Sequence, residues 1–502
     1  MVAALSAAVA VVVLGLPLAA VGFDLTRYDN VAAYWGQNSY GAANPNDAAN
    51  WQKSLDFYCN LGTMDMFPIS FVTVANSTGG LPQIDLSNIC NVPAGNPYFP
   101  GTQLLNCQFM ASQITTCQSK GKALTISLGG ATGLVSFSSD AQASAFADTI
   151  WNLFLGGSSS TRPFGAAVLD GVDIGGNAYL ISFVNRIRTL SNGASKKYYV
   201  TAAPQCPFPD GNLGTTIDGA AFDALFVQHY NNACGVSAAN STAFNAGTWM
   251  YFAQKRSKNP NMKVFIGAPG SPSGGGGYIS AAALSDLATS LRKKFPSFGG
   301  VMYWDASQAY NNARFDSAIK NSLTAAGGTG FTYPACSAPA YVSGTSYTQG
   351  SQVTYDGYIW QARWWASSVP NANIADTGEW QAISACGGTT TTTSTTSSTS
   401  STTSRTTTTS SSSSSSSSTT TTSSSSTATP TSGSCAGVAA WSSAIAYTGG
   451  QQVTYNGHLW TAKWWTQADT PGGAAGVWTD NGACTARLSS RLYGRRAGRI
   501  TN

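Results

Sequence analysis

At 502 residues the chain has room for several domains, one of which can be a barrel of about 250 residues or more. Only 9% of the residues are charged and the net charge is +5, with no basic cluster before the short tail Arg487–Arg499, which argues against nucleic acid as a partner. The chain holds a single glutamate, Glu379, so glutamate chemistry is excluded everywhere else.

Residues 1–22 are almost entirely apolar, centred on Val11–Leu14, with small residues near the end, and they read as a secretory signal peptide. Their first region lacks Lys and Arg, which leaves an uncleaved anchor as the alternative. No second apolar span follows, so after cleavage nothing would hold the chain in a membrane. Ten cysteines, an even number, suit an oxidising route and a secreted, extracellular or wall-associated protein. On that route Asn76-Ser77-Thr78 and Asn240-Ser241-Thr242 become glycosylation acceptors.

Residues 23–333 alternate strand-like runs with helix-length segments. The runs are Val31–Trp35, Ile69–Val74, Leu124–Leu128, Val168–Ile174, Tyr199–Thr201, Leu225–Val227, Val264–Ile266 and Val301–Trp304. Eight such runs in about 310 residues predict an α/β fold, a (β/α)8 TIM barrel, with function at the C-terminal strand ends. After the fourth run, Leu180, Phe183, Val184, Ile187 and Leu190 form a helical stripe, and Asn177 before it reads as the N-cap. Cys59, Cys90, Cys107 and Cys117 form two disulfides whose pairing stays open, and Cys206 pairs with Cys234. His229 and His458 lie in different domains and make no metal site; neither a metal nor a cofactor is expected. Gly274–Gly277 precedes no phosphate-binding helix pattern and reads as a flexible loop.

Two short blocks then repeat each other. Twelve of the nineteen positions in Tyr347–Trp365 recur in Tyr447–Trp465, and a cysteine pair brackets each block, Cys336/Cys386 and Cys435/Cys484. These are two small β modules, 336–386 and 435–484, each stapled by its own disulfide because so small a domain needs a cross-link. Between them 387–434 collapses to Ser and Thr, a composition that cannot bury a core and reads as a disordered, O-glycosylated linker. A tail, 485–502, ends the chain. In each module Val-Thr-Tyr-(Asp/Asn)-Gly-x-x-Trp predicts a hairpin on an Asp-Gly or Asn-Gly turn. In Trp364-Trp365 and Trp464-Trp465 the two rings would then face opposite sides of a strand, one in the core and one exposed. Trp360, Trp364, Trp365, Trp460, Trp464 and Trp465 are the candidates for a flat aromatic face, which suits the apolar faces of pyranose rings.

Six motifs stand in order along the barrel: Tyr34-Trp35-Gly36-Gln37-Asn38, Ser127-Leu128-Gly129-Gly130, Asp170-Gly171-Val172-Asp173, Ala203-Pro204-Gln205-Cys206-Pro207, Val227-Gln228-His229-Tyr230-Asn231-Asn232 and Gly299-Gly300-Val301-Met302-Tyr303-Trp304. In this the chain resembles the fungal and plant-type (class III) chitinases of glycoside hydrolase family 18, across nearly the whole barrel. Both small blocks resemble the chitin-binding modules attached to microbial chitinases. The resemblance implies chitin and chitin oligosaccharides as partners and a monomeric protein. It implies that Tyr230 bonds the substrate's acetamido group, that Trp304 is the floor under the sugar ring, and that Tyr34, Gln228 and Asn231 are pocket walls. Asp170 and Asp173 would be the remnants of the catalytic acids.

One member is missing. The family pattern on the fourth strand is Asp-x-x-Asp-x-Asp-x-Glu, and its glutamate protonates the glycosidic oxygen while the substrate's acetamido oxygen attacks. Here Asp173-Ile174 runs directly into Gly175-Gly176, as though Asp-Ile-Glu had been deleted, and the barrel has no glutamate to recruit. Three readings follow. The chain binds chitin with little or no hydrolysis; or it is an active endochitinase whose recorded sequence lost three residues; or it is a wall-associated structural glycoprotein. Sequencing the transcript across 166–179 separates the second from the first.

Overall fold

The computed structural model describes residues 22–130, 135–176, 178–387 and 435–484, apart from 436, 444, 448–449, 464–465, 468 and 474–475. The apolar segment before residue 22 expected to be a signal peptide, Asn177, the Ser/Thr-rich stretch, Trp464, Trp465 and the tail after residue 484 lie outside the described residues. Two compact units divide the chain. The barrel and the first module share one, and the second module lies in the other.

The barrel strands are β1 (Asn30–Ala33), β2 (Met66–Val74), β3 (Ala123–Leu128), β4 (Gly171–Ile174), β5 (Tyr199–Ala202), β6 (Ala224–Gln228), β7 (Lys263–Pro269) and β8 (Phe298–Trp304). Each pairs in parallel with the next, and β1 closes the ring by pairing with both β8 and β2. All eight predicted runs are barrel strands. Their side chains alternate between two cores, as a pleated strand requires. Val31, Ile69, Ile126, Val172, Val200, Val227, Ile266 and Val301 point out to the helices. Ala32, Tyr34, Phe71, Phe226, Phe265 and Met302 point inwards.

Helices α1 (Asp140–Phe154), α2 (Leu180–Ser191), α3 (Ala246–Lys255), α4 (Ala281–Lys294) and α5 (Phe315–Ala325) belong to the outer ring. On α2 the buried residues are Leu180, Phe183, Val184 and Ile187, the predicted stripe. The residue before it, Tyr179, is in the left-handed region at φ 62° and its side chain makes no capping hydrogen bond; the cap expected at Asn177 lies outside the described residues. Disulfides join Cys59 to Cys117, Cys90 to Cys107 and Cys206 to Cys234, which resolves the pairing left open by the sequence. Asn76 and Asn240 are both exposed.

In the first module β9 (Gln352–Tyr355), β10 (Tyr358–Ala362) and β11 (Trp380–Ala385) form an antiparallel sheet, and the second repeats it with β12 (Gln452–Tyr455), β13 (His458–Ala462) and β14 (Trp478–Ala483). The hairpins turn on Asp356-Gly357 and Asn456-Gly457, all four residues at positive φ, as a two-residue type I′ turn demands. Cys336–Cys386 and Cys435–Cys484 staple the two modules.

Candidate functional site

The barrel mouth is built from the ends of β1, β2, β3, β4, β5, β6 and β8. Asp173 is buried within it, 1% exposed. Three hydroxyls donate to its carboxylate, each at 2.7 Å: Tyr34 and Ser127 to Oδ2 and Thr201 to Oδ1. Burial pushes the Asp173 carboxyl above the ordinary aspartate range, and these three hydroxyls oppose the shift. Both oxygens are thus occupied in the barrel interior, beneath the rim.

Above it lies an aromatic floor. The Trp304 ring stacks on Phe71, with centroids 6.0 Å apart and planes 16° apart, and Tyr34 stands 5.6 Å from Trp304. Tyr230 is buried beside them, and its phenol is held above its ordinary pKa by burial first and then by Asp173 and Asp305. It is therefore a neutral donor across the physiological range. Gln228 is anchored by donating Nε2 to the Ala203 carbonyl at 2.8 Å. Asn231 sits at φ 59° and clasps the glycine-rich loop: its Oδ1 accepts from Gly276 N at 2.6 Å and its N donates to Gly276 O at 2.9 Å. The run Gly274–Gly277 is thus tied to the mouth through Asn231.

Asp170 is elsewhere. It precedes β4, at the N-terminal end of the barrel, where it pairs with Lys196 at 2.8 Å and accepts from Gln118 Nε2 and Leu124 N. In a (β/α)8 barrel that end carries stability and the opposite end carries chemistry. Asp170 is a structural ion-pair residue, which corrects its assignment to the catalytic set.

Among the described residues, β4 carries no acid beyond Asp173. Strand β4 ends at Ile174, and Gly175 N donates to Leu128 O at 2.9 Å before the chain turns away. The β3 and β4 ends meet glycine to glycine, since a Cβ on Gly129 would lie 3.2 Å from the Gly175 backbone. Asp305, next to Trp304, is fully buried and committed to Ser307, Gln308 N and Ser39 N. Asp210, on the rim loop after β5, accepts from the backbone of Gln205, Asn212 and Leu213. Glu379 lies in the first module, where Ser367 N, Ser368 N and Ser368 Oγ donate to its Oε2.

Residues 30–274 match the family described as Glycosyl hydrolases family 18, and residues 440–479 match Carbohydrate-binding module family 5/12. The chain is 38% identical over 329 residues to the Class III chitinase of Arthroderma benhamiae, over 62% of this chain and 90% of that one. The chain belongs to glycosyl hydrolase family 18. It is also 36% identical over 324 residues to Endochitinase 33 of Trichoderma harzianum, over 61% of this chain and 96% of that one. To Chitinase 2 of Rhizopus oligosporus it is 45% identical over 305 residues, 60% of this chain but only 53% of the relative's length.

The family-18 barrel thus brings Tyr34, Asp173, Gln228, Tyr230, Asn231 and Trp304 to one mouth and sends Asp170 to the other end. Sequence reading missed Phe71, Ser127 and Thr201 as partners of Trp304 and Asp173. For Ser127 and Thr201 the signal is the inward alternation of β3 and β5, which places both level with Asp173 once the barrel closes; Phe71 turns inward at an irregularity in β2 that alternation from Ile69 does not foretell. In the first module Trp364 and Trp365 follow β10 in a bend and are both exposed, at 44% and 57%. The expected alternation fails because the pair lies past the strand end. Trp360 is 1% exposed and belongs to the core, which corrects its place among the sugar-binding candidates; in the second module Trp460 is half-buried, its indole donating to Tyr455 O at 3.1 Å.

Proposed function

We propose that this chain is a secreted chitin-binding protein in which the sugar-binding mouth of a family-18 barrel persists while hydrolysis is lost or strongly impaired. The observation that carries the reading is the end of β4: Asp173-Ile174 passes straight into Gly175, and no carboxyl stands between the buried Asp173 and the aromatic floor. Hydrolysis needs an acid within hydrogen-bond reach of the glycosidic oxygen, and removing one costs about 10² to 10⁴-fold in rate. The family-18 mechanism uses the substrate's acetamido group as nucleophile, so the protein's share is the acid and the orienting groups. Tyr230 and Trp304 still fit those binding duties. Likeness to proteins named chitinases and a family 5/12 carbohydrate-binding module supports chitin as the polymer.

Protein made with this sequence is expected to pellet with insoluble chitin and to release soluble sugar at least about a hundredfold more slowly than an intact relative. Release from a chitin oligomer at a normal enzyme rate sinks the reading.

Binding is shared between modules. The segment between them is long enough to let both engage one surface, which raises the effective concentration of the second. Trp365→Ala or Trp464→Ala alone is expected to weaken retention modestly, and replacing the tryptophan pairs of both modules to abolish most of it, measured by co-sedimentation. Full retention by that double-module variant would place the main binding surface in the barrel.

A further inference from the structure

Helix α3 is buried on both sides, with every residue from Ala246 to Ala253 inside. A helix apolar all round lies between two bodies. One is the barrel; the other is the first module. Gly247 is the closest point of approach, because a Cβ there would overlap the Ala382 carbonyl oxygen of β11. One turn on, the Tyr251 ring meets Trp360 at 4.8 Å and Tyr358 at 4.9 Å, both edge to face. Asp356 completes the contact, accepting from Tyr251 OH and Lys255 Nζ at 3.1 Å each. The second module, for all its likeness, carries Asn456 and His458 where the first has Asp356 and Tyr358. Of the docking groups, Asp356 and Tyr358 belong to the first copy alone, whereas Trp360 recurs as Trp460.

A second clasp reaches the barrel mouth. Asp376 accepts from Phe208 N at 2.8 Å and its own N donates to Phe208 O at 2.8 Å, while Asn245 Nδ2 donates to both of its carboxylate oxygens at 2.9 and 3.1 Å. Phe208 lies on the rim loop after β5, three residues from Gln205, which bridges to Gln228 at the mouth. From the other side Arg363 Nη1 donates to Asp376 O at 2.6 Å. The next residue along is Trp364.

We propose that the first module is a fixed extension of the barrel's polysaccharide site, its Trp364–Trp365 platform held in register with the rim by Asp376, so that one sugar chain lies on both. The proposal rests on the chitin reading above. It makes the first module part of the barrel's binding surface. A sugar chain already seated at the mouth presents its far end to the platform at high effective concentration, provided the platform is held still.

Two measurements on the full chain test it. Hydrogen exchange reads the docking without any sugar: Gly247→Leu, which drives a side chain into Ala382, is expected to speed exchange of the β11 amides at least about tenfold and to leave those of β1 and β8 unchanged. Calorimetric titration with chitin oligomers of increasing length reads the shared track. Affinity is expected to rise at least about tenfold once the oligomer is long enough to reach the platform. That rise should vanish in Gly247→Leu and in Asp376→Ala, which cuts the clasp and leaves the Gly247 approach in place, and Trp364→Ala/Trp365→Ala added to either should cost nothing more for the long oligomer. Binding with no dependence on length, or a length dependence untouched by both variants, overturns the proposal and leaves the chitin reading standing. No binding by any oligomer removes both, and exchange still reports whether the module is docked.

Discussion

Inserting Asp-Ile-Glu between Ile174 and Gly175 is expected to raise hydrolysis of chitin oligomers at least about a hundredfold over the native sequence. From Asp173 onward the alternation of β4 would carry the new Asp and Glu inward. The Glu would then enter a mouth that already holds Tyr230, Trp304 and Phe71. The ladder is ready to be extended, because Gly175 N already bonds Leu128 O. Gly175→Glu alone is expected to give no gain: its Cβ would lie 2.8 Å from Leu128 O, and the strand would remain about 10 Å of contour too short. The insert carrying Gln in place of the new Glu is the control for mere stabilisation. Equal rates from the Glu and Gln inserts would mean that the mouth no longer positions the glycosidic bond, since an acid recovers rate only in a preorganised site.

The second large effect concerns acid. His229 is fully buried, its ring 5.3 Å from Phe244, with Nδ1 against the Val227 carbonyl and Nε2 without a partner among the described residues. Burial, opposed only by the Val227 carbonyl, lowers its pKa to about 3. The unfolded chain therefore takes up a proton near pH 6.5 that the folded barrel refuses. Stability from this group is complete above about pH 6.5 and is lost as pH falls towards 3, amounting to about 3 kcal/mol between pH 7 and pH 4. His229→Phe removes the titrating group together with an unpaired buried nitrogen, at the cost of one hydrogen bond. Urea unfolding of the barrel transition at pH 7 and pH 4 is expected to show a pH dependence smaller by about that amount in the variant. Equal pH dependence in the two proteins would mean that the buried ring accepts its proton in the folded state.

The residues that face only their own strand or turn were legible in the sequence. Strand runs such as Val264–Ile266, the stripe on α2 and the Asp356-Gly357 and Asn456-Gly457 turns follow from local periodicity and backbone preference, which act over a few residues. So does the absence of a glutamate after Asp173, because Glu379 is the one glutamate in the chain. What only the tertiary structure decided is set by partners far away in the chain. Asp170 and Asp173 are three residues apart and read alike, yet the closed barrel sends one to Lys196 at its base and the other to Tyr34, Ser127 and Thr201 near its mouth. Trp360 and Trp365 sit in the same repeated block, yet Trp360 is buried where Tyr251 arrives from more than a hundred residues upstream and Trp365 stays open to solvent. An aromatic side chain suits a core and a sugar equally well, and a carboxylate suits an ion pair and a catalytic site equally well. Which of these each becomes is fixed by what the rest of the fold brings within a few ångströms.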